Sequence, residues 1–393
     1  MAEDIVITGM GLVTPIGIGE DAFWRALVEG RSAAAPVTGF DHHDWSRHVA
    51  CQVRESFEAP RELGRASRLA VAACRQALVS SRLLSVGVEP SRQVAIVGTT
   101  MGETEFIEER IGSSDSDWLS AEHVRCISEA GPGSISESVA VSMGGAVAVD
   151  LYGACAAGNM AIADARRRLL GRECDIALAG GSDGFSMLAF IGFMRARVMA
   201  AECCRPFDAR RDGLLVGEGA AMFVMERESD ARARGAPIRA RVAGAGLACE
   251  DFHPTRPHPE GEGLTRATET ALADAGIRKD EVDYVCAHGT GTPQNDQIEA
   301  AVMDRLFPRG VAFSSIKSLT GHTMGAAGAM EAAACVLMLE RQLLIPTWGL
   351  DELLSPCGQD AVRGAPRTAP IRCVVNNSAG FGGYNSSVVL FAA

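Results

Sequence analysis

The run Gly153-Ala154-Cys155-Ala156-Ala157-Gly158 sets one cysteine among very small residues. The stretch before it, Ala146–Val149, is short, apolar and partly β-branched, as a strand would be. From Ala156 onward the chain is alanine-rich, with Ile162, Ala165 and Leu169 at helical spacing. Cys155 therefore stands at a strand-to-helix turn. The positive end of a helix dipole lowers a thiol's pKa there, and free backbone N–H groups can bind an oxyanion. The chemistry to expect is nucleophilic attack by the thiol, with Gly153 and Ala154 leaving room for a substrate. The same residue also has an ordinary reading as a buried structural cysteine.

Three other stretches carry chemistry. In Ala287-His288-Gly289-Thr290-Gly291-Thr292 a histidine closes a strand and opens a Gly/Thr loop. In Lys317-Ser318-Leu319-Thr320-Gly321-His322 a lysine and a histidine share a loop before an Ala/Gly-rich helix that carries Glu331. In Gly380-Phe381-Gly382-Gly383 a glycine loop can adopt unusual backbone angles and present N–H donors. Taken singly, each has a plain alternative: a satisfied histidine, a solvated loop with a surface ion pair, a tight turn. Their joint presence at strand ends points to one site, because ligands bind at the strand-end edge of an α/β sheet.

The elements that must position these residues alternate. Strands are expected at Ile5–Thr8, Val94–Val97, Ala146–Val149, Asp175–Ala179, Ala220–Met225, Ala240–Leu247, Tyr284–Ala287, Val311–Ser314, Cys373–Val375 and Ser387–Phe391. Helices are expected near 20–29, 65–83, 156–170, 264–275, 297–306 and 325–342. The alternation predicts an α/β fold with mostly parallel sheets covered on both faces. It recurs from about residue 246, which predicts two similar halves, 1–245 with the cysteine and 246–393 with the two histidines. Residues 103–133 are polar and acidic, and read as lid or interface loops with a short helix.

The chain has 393 residues, is 47% hydrophobic and can bury a large core. Its net charge of -12 argues against nucleic acid, which needs a basic excess. The 12 cysteines have neither CxxC pairs nor regular spacing and read as reduced thiols of a cytoplasmic protein. The N-terminus lacks the basic and long apolar regions of a signal peptide. No apolar run approaches the roughly 18 residues of a membrane span. His42-His43 and His253–His258 raise the question of a metal, but both read as loops and no metal is expected.

Together these stretches resemble the β-ketoacyl-acyl carrier protein synthases, the ketosynthase branch of the thiolase superfamily. The resemblance also takes in Val6-Ile7-Thr8-Gly9-Met10-Gly11, Cys204-Arg205-Pro206-Phe207-Asp208 and Asp212–Gly219, and so covers essentially the whole chain. It implies a thiolase-like fold, two βα halves in an α-β-α-β-α layering. It also implies a decarboxylative condensation, in which Cys155 takes an acyl group and a malonyl thioester then loses carbon dioxide and attacks it. Cys155, His288, His322, Lys317 and Glu331 would be the catalytic set: thiolate nucleophile, two Nε2 donors on the thioester oxygen, a positive charge and its partner.

By the same resemblance the amides of Cys155 and Phe381 form an oxyanion hole, and Phe381 gates the two half-reactions. Thr290 and Thr292 grip the pantetheine arm, and Met101 ends the acyl pocket beside a dimer contact. No cofactor is implied beyond the phosphopantetheine that carries the substrates. The implied partners are an acyl carrier protein and a second subunit, either the same chain or a ketosynthase-like relative. An acidic carrier would need a basic patch, for which Arg61, Arg65 and Arg68 form one candidate and Arg195, Arg197, Arg205, Arg210 and Arg211 another.

Departures from the family pattern lie in Thr99–Glu103, Tyr152 and Asn159-Met160, positions expected to shape the acyl pocket and dimer contact. Two alternatives stay open. One is a catalytically silent, chain-length-determining subunit, although such subunits lack the nucleophile. The other is a thiolase acting on coenzyme A thioesters, although Gly380–Gly383 lacks that family's second cysteine. A chain-initiating synthase would have asparagine where His322 stands.

Overall fold

The computed structural model describes residues 3–83, 88–112 and 134–393. The strands that matter here are β1 (Ile5–Thr14), β2 (Gln93–Thr99), β3 (Val147–Tyr152), β4 (Ile176–Asp183) and β5 (Gly219–Arg227). They continue with β6 (Ala240–Cys249), β7 (Tyr284–Cys286), β8 (Ala312–Ser314), β9 (Cys373–Ala379) and β10 (Tyr384–Ala392). The helices are α1 (Arg65–Ser80), α2 (Ser134–Ser142), α3 (Ala157–Leu170), α4 (Met187–Arg195), α5 (Glu262–Asp274), α6 (Pro293–Leu306) and α7 (Ala327–Arg341).

The strands run in the order β8-β7-β9-β10-β6-β1-β5-β4-β2-β3. This order is one five-strand pattern used twice. In the first half β3 and β4 flank β2 in parallel, and β5 and then β1 add antiparallel. In the second half β8 and β9 flank β7 in parallel, and β10 and then β6 add antiparallel. The halves meet where β1 pairs with β6, Val6 opposite Arg241 and Ile7 opposite Ala240. The expected division at 245/246 falls inside β6, so the topological repeat begins slightly earlier, at Ala240.

α1 and α2 cover the outer face of the first half, and α5 and α6 that of the second. α3 and α7 lie between the two halves of the sheet. Every residue of α7 from Ala327 to Leu339 is buried, as a helix sheathed on all sides must be. Its residues join Ala161, Ile162, Ala165 and Leu169 of α3 in the central core, with Ile7 and Ile96 from one half-sheet and Val374 and Leu390 from the other. A core this apolar tolerates Glu331, on α7, only if its carboxylate is paired.

Two glycines bring the starts of α3 and α7 together. A Cβ on Gly158 would lie 2.8 Å from both Gly325 O and Ala329 N. One on Gly328 would lie 2.8 Å from Ser378 Oγ. Asn159, expected to shape the pocket or dimer contact, does not line the cavity that holds Cys155. It is buried and exchanges bonds with Asn376: Asn159 Nδ2 donates to Asn376 O at 3.1 Å, and Asn376 Nδ2 to Asn159 Oδ1 at 2.9 Å. It fastens one half to the other. No helix among the described residues is long and apolar enough to cross a membrane. Of the acidic stretch 103–133, a helix covers Thr104–Gly112; residues 113–133 lie outside the described residues.

Candidate active site

β3 ends at Tyr152, and a single 3-10 turn, Ala154–Ala156, leads into α3. Ala154 has φ +47°, a left-handed conformation that is costly for an alanine and sharpens the turn. The second half repeats the device: Met324, at φ +53°, opens the turn 324–326 that leads into α7. Cys155 thus sits at a helix start, as its neighbours in sequence implied. The glycine loop closes over it. Gly382 and Gly383 take φ +84° and +85°, and a Cβ on Gly380 would come within 3.0 Å of Cys155 N. The amides of Phe381 and Cys155 both point at the thiol.

The expected lowering of this thiol's pKa is not what the fold delivers. Cys155 is only 5% exposed, and burial pushes its thiol up to about 12. Lys317 and the two amides oppose that rise without cancelling it. The reason is that loss of water penalises a thiolate more than a helix terminus rewards it. The resting residue is a thiol, and the donors around it act when negative charge develops.

His288 follows β7 and His322 follows the short helix Lys317–Thr320; their rings meet edge to face with centroids 5.3 Å apart. The backbone N–H of Met324 donates to His322 Nδ1 at 3.3 Å. Lys317 Nζ lies 3.3 Å from His288 Nδ1, where an ammonium can only donate. Both Nδ1 atoms are therefore acceptors, so both rings carry their proton on Nε2. Both pKa values lie well below the ordinary histidine range, driven down by burial and by the Lys317 charge, with His322 adding to the effect on His288. Two neutral Nε2–H donors side by side can hold a negatively charged oxygen.

Lys317 forms a fully buried ion pair with Glu331 and donates to His288 O at 2.6 Å. It thus supports His288 directly, where the sequence suggested His322. Burial lifts the Glu331 carboxyl to about 7 against the pull of Lys317. Thr290 and Thr292 stand with hydroxyls 2.9 Å apart. They line a cavity of about 430 Å³ that also contains Cys155, His288, His322 and Phe381. Met101 is half-buried, its backbone N–H bonded to Asp183, and it does not line this cavity.

Three buried carboxylates escaped the sequence reading. Glu299 accepts from the amides of His288 at 2.7 Å and Gly289 at 2.8 Å, and burial raises it to about 7. Asp296 accepts from the amides of Thr290, Gly291 and Phe207. Both lie on α6, three residues apart and so on one helix face, which is the signal that could have revealed them. Asp183, raised to about 6 by burial, binds Thr99 Oγ1 and the amides of Thr100, Met101 and Gly325. It ties β2 and β4 to the turn that opens α7. No group of three or more potential metal ligands occurs among the described residues.

The basic candidates separate. Arg65 makes a two-pronged ion pair with buried Glu218. Arg210 is tied to Asp208 and Asp351, and Arg211 to the carbonyls of Asp208 and Pro293. Arg195 and Arg197 stay exposed, and Arg205 is half-buried.

Comparison with known proteins agrees with this arrangement. Residues 2–231 match the family described as "Beta-ketoacyl synthase, N-terminal domain", and residues 239–351 match "Beta-ketoacyl synthase, C-terminal domain". The chain is 33% identical to the 3-oxoacyl-[acyl-carrier-protein] synthase 2 of Synechocystis sp., over 97% of this chain and 96% of that one. It is 34% identical to the tetracenomycin polyketide synthase ketoacyl synthase alpha subunit of Streptomyces glaucescens, over 98% and 96%. Among solved structures, the ishigamide ketosynthase/chain length factor superposes with a TM-score of 0.93 at 34% identity, covering 100% of both chains. Together with the repeated five-strand pattern and the Cys-His-His cluster, these matches establish that the chain belongs to the β-ketoacyl synthase family, acyltransferases that form carbon–carbon bonds.

Proposed function

We propose that the protein is a β-ketoacyl-acyl carrier protein synthase of fatty acid or polyketide assembly, with the cysteine supplied by its first half and the histidines by its second. The observation that carries this reading is the convergence of the Cys155 thiol, two amides aimed at it and two Nε2–H imidazoles in one cavity.

In the first step the Cys155 sulfur attacks an acyl thioester presented on the phosphopantetheine arm of a carrier protein. The amides of Cys155 and Phe381 hold the oxyanion, the acyl group moves to sulfur, and the thiol proton ends on the departing pantetheine sulfur. In the second step a malonyl thioester enters and its C–C bond to the carboxylate breaks, releasing carbon dioxide. The electron pair passes into an enolate whose oxygen is held by Nε2–H of His288 and His322. The enolate carbon attacks the acyl-cysteine carbonyl, the C–S bond breaks, and the departing Cys155 thiolate takes a proton from solvent to regenerate the thiol. Thr290 and Thr292 offer hydroxyls to the pantetheine amides. No further cofactor enters the scheme.

The partners are an acidic carrier protein and a second subunit docked along β3, an edge strand beside Cys155 that exposes Val147 and Tyr152. A ketosynthase-like chain-length subunit fits that place, as does a second copy of this chain. Met101, close to the same edge, would end the acyl pocket once a partner closes it. The test is mass spectrometry of Cys155 after mixing with acyl-carrier thioesters of varied length, followed by malonyl-carrier protein. Acyl mass on Cys155 and release of a β-ketoacyl carrier are expected. A chain that gains no acyl mass would be a silent subunit.

A further inference from the structure

We propose that Arg197 and Arg256, with the Nε2–H of His253, form a phosphate clamp at the mouth of the Cys155 cavity. The clamp takes the phosphate of a phosphopantetheine arm. This rests on the acyl-transfer reading above and adds residues that select the form of the substrate.

The cavity that holds Cys155, His288 and His322 at its buried end is bordered at its exposed end by Arg197, His253 and Arg256. Neither guanidinium makes a hydrogen bond or an ion pair with another described residue. Arg256 uses only its backbone N–H, which donates to His253 Nδ1 at 3.2 Å, beside the N–H of Thr255 at 3.1 Å. With Nδ1 accepting twice, the ring proton of His253 sits on Nε2 and is available as a donor. Glu250 is the one carboxylate in the lining among the described residues. Both its oxygens are occupied, by the amides of His258 at 2.9 Å and Gly263 at 3.0 Å. In a chain of net charge -12, the mouth thus presents two arginines with no ion-pair partner among the described residues, and one carboxylate whose oxygens are turned to backbone amides.

Arg197 lies just beyond the end of α4 with φ +57°, a left-handed conformation in which glycine is the low-energy choice. Arginine there carries a conformational cost that glycine would not. The loop of Arg256 is also fixed to the chemistry: Gly382 N–H donates to Pro254 O at 2.7 Å, beside Phe381. Guanidinium groups bind phosphate oxygens through paired N–H donors, so a phosphate entering behind a thioester has its partners waiting.

The test compares acylation of Cys155 by small thioesters of pantetheine, 4′-phosphopantetheine and coenzyme A, using the fastest-loading acyl chain of a panel. The native protein should favour the phosphopantetheine thioester over the pantetheine one by about tenfold in kcat/KM, the scale of one charge-assisted hydrogen bond. The preference should shrink as salt rises. In Arg197→Gln/Arg256→Gln the ratio should fall toward one. Arg197→Gly should also lower the ratio while its thermal midpoint does not fall, because glycine relieves the backbone. A native ratio of one, or a ratio untouched in the double variant, overturns the clamp. A preference for coenzyme A over phosphopantetheine beyond tenfold would overturn the carrier arm as its occupant. Failure of Cys155 to load from any thioester, carrier-bound ones included, would instead overturn the acyl-transfer reading itself.

Discussion

Lys317 braces His288 twice, donating to its carbonyl at 2.6 Å and standing 3.3 Å from its Nδ1. The lysine's charge is matched by Glu331 from the central helix, so a buried ion pair and a histidine tautomer are one arrangement. Removing Lys317 leaves Glu331 buried without a partner. Lys317→Met should cost about 3–5 kcal/mol in urea melts and strongly slow malonyl decarboxylation. Lys317→Met/Glu331→Leu should regain most of the stability but not the decarboxylation. Recovery of both together would show that Lys317 acts only on folding.

Cys155→Ala should abolish acyl loading and condensation while the circular dichroism spectrum stays native. The 3-10 turn is held by backbone bonds, Ala156 N–H to Gly153 O among them, which an alanine preserves. An alanine variant that still elongates chains would sink the nucleophile assignment.

His322→Ala should slow decarboxylation by about 10²–10³-fold and still permit acylation of Cys155, because the donor it removes serves the enolate. The stability profile follows from the same burial. The folded pKa of His322 lies well below the ordinary value of 6.5, so below pH 6.5 the unfolded chain binds a proton that the folded one refuses. The native protein therefore loses stability as pH falls through that window. His322→Ala lacks this contribution, and its curve should fall less steeply, by about 1.4 kcal/mol per pH unit. Parallel curves for the two proteins between pH 6.5 and 5.5 would contradict a buried neutral histidine.

Carrier docking should separate Arg61 from Arg65. Arg61 lies among arginines on an exposed groove, whereas Arg65 is committed to Glu218. Arg61→Glu should raise the KM for carrier protein and flatten its salt dependence. Arg65→Glu should instead lower the thermal midpoint, since it sets two carboxylates together in a half-buried place. Unchanged kinetics in Arg61→Glu would remove that face from the docking proposal.

Met101→Ala should lengthen the product distribution and Met101→Trp shorten it, provided the partner subunit closes the pocket over this residue. A methylene in an apolar pocket discriminates by only about 1–3 kcal/mol, so the distribution should shift gradually. Identical products from both variants, at equal dimer content, would place the length limit elsewhere.

Much of the site was legible because its motifs are local. A strand, a run of small residues and a helix define the Cys155 turn within about ten neighbouring positions, and the strand–helix alternation defines the α/β class. It did not reveal the antiparallel strands β1, β5, β6 and β10, which make the sheet mixed where a mostly parallel one was expected. The glycine loop is also local, since φ near +84° at Gly382 suits glycine wherever it occurs.

What the sequence alone determined is therefore the Cys155 turn, the histidine loops and the two-half α/β architecture. Only the tertiary structure decided how these act on each other. It brought Lys317 against His288 across 29 positions, Arg65 onto Glu218 across 153, and Asn159 onto Asn376 across 217. It also turned Cys155 from an expected low-pKa thiol into one raised to about 12. The reason is physical: a helix terminus and a turn are written in adjacent residues, whereas burial and charge pairing depend on which distant elements the sheets and central helices press together.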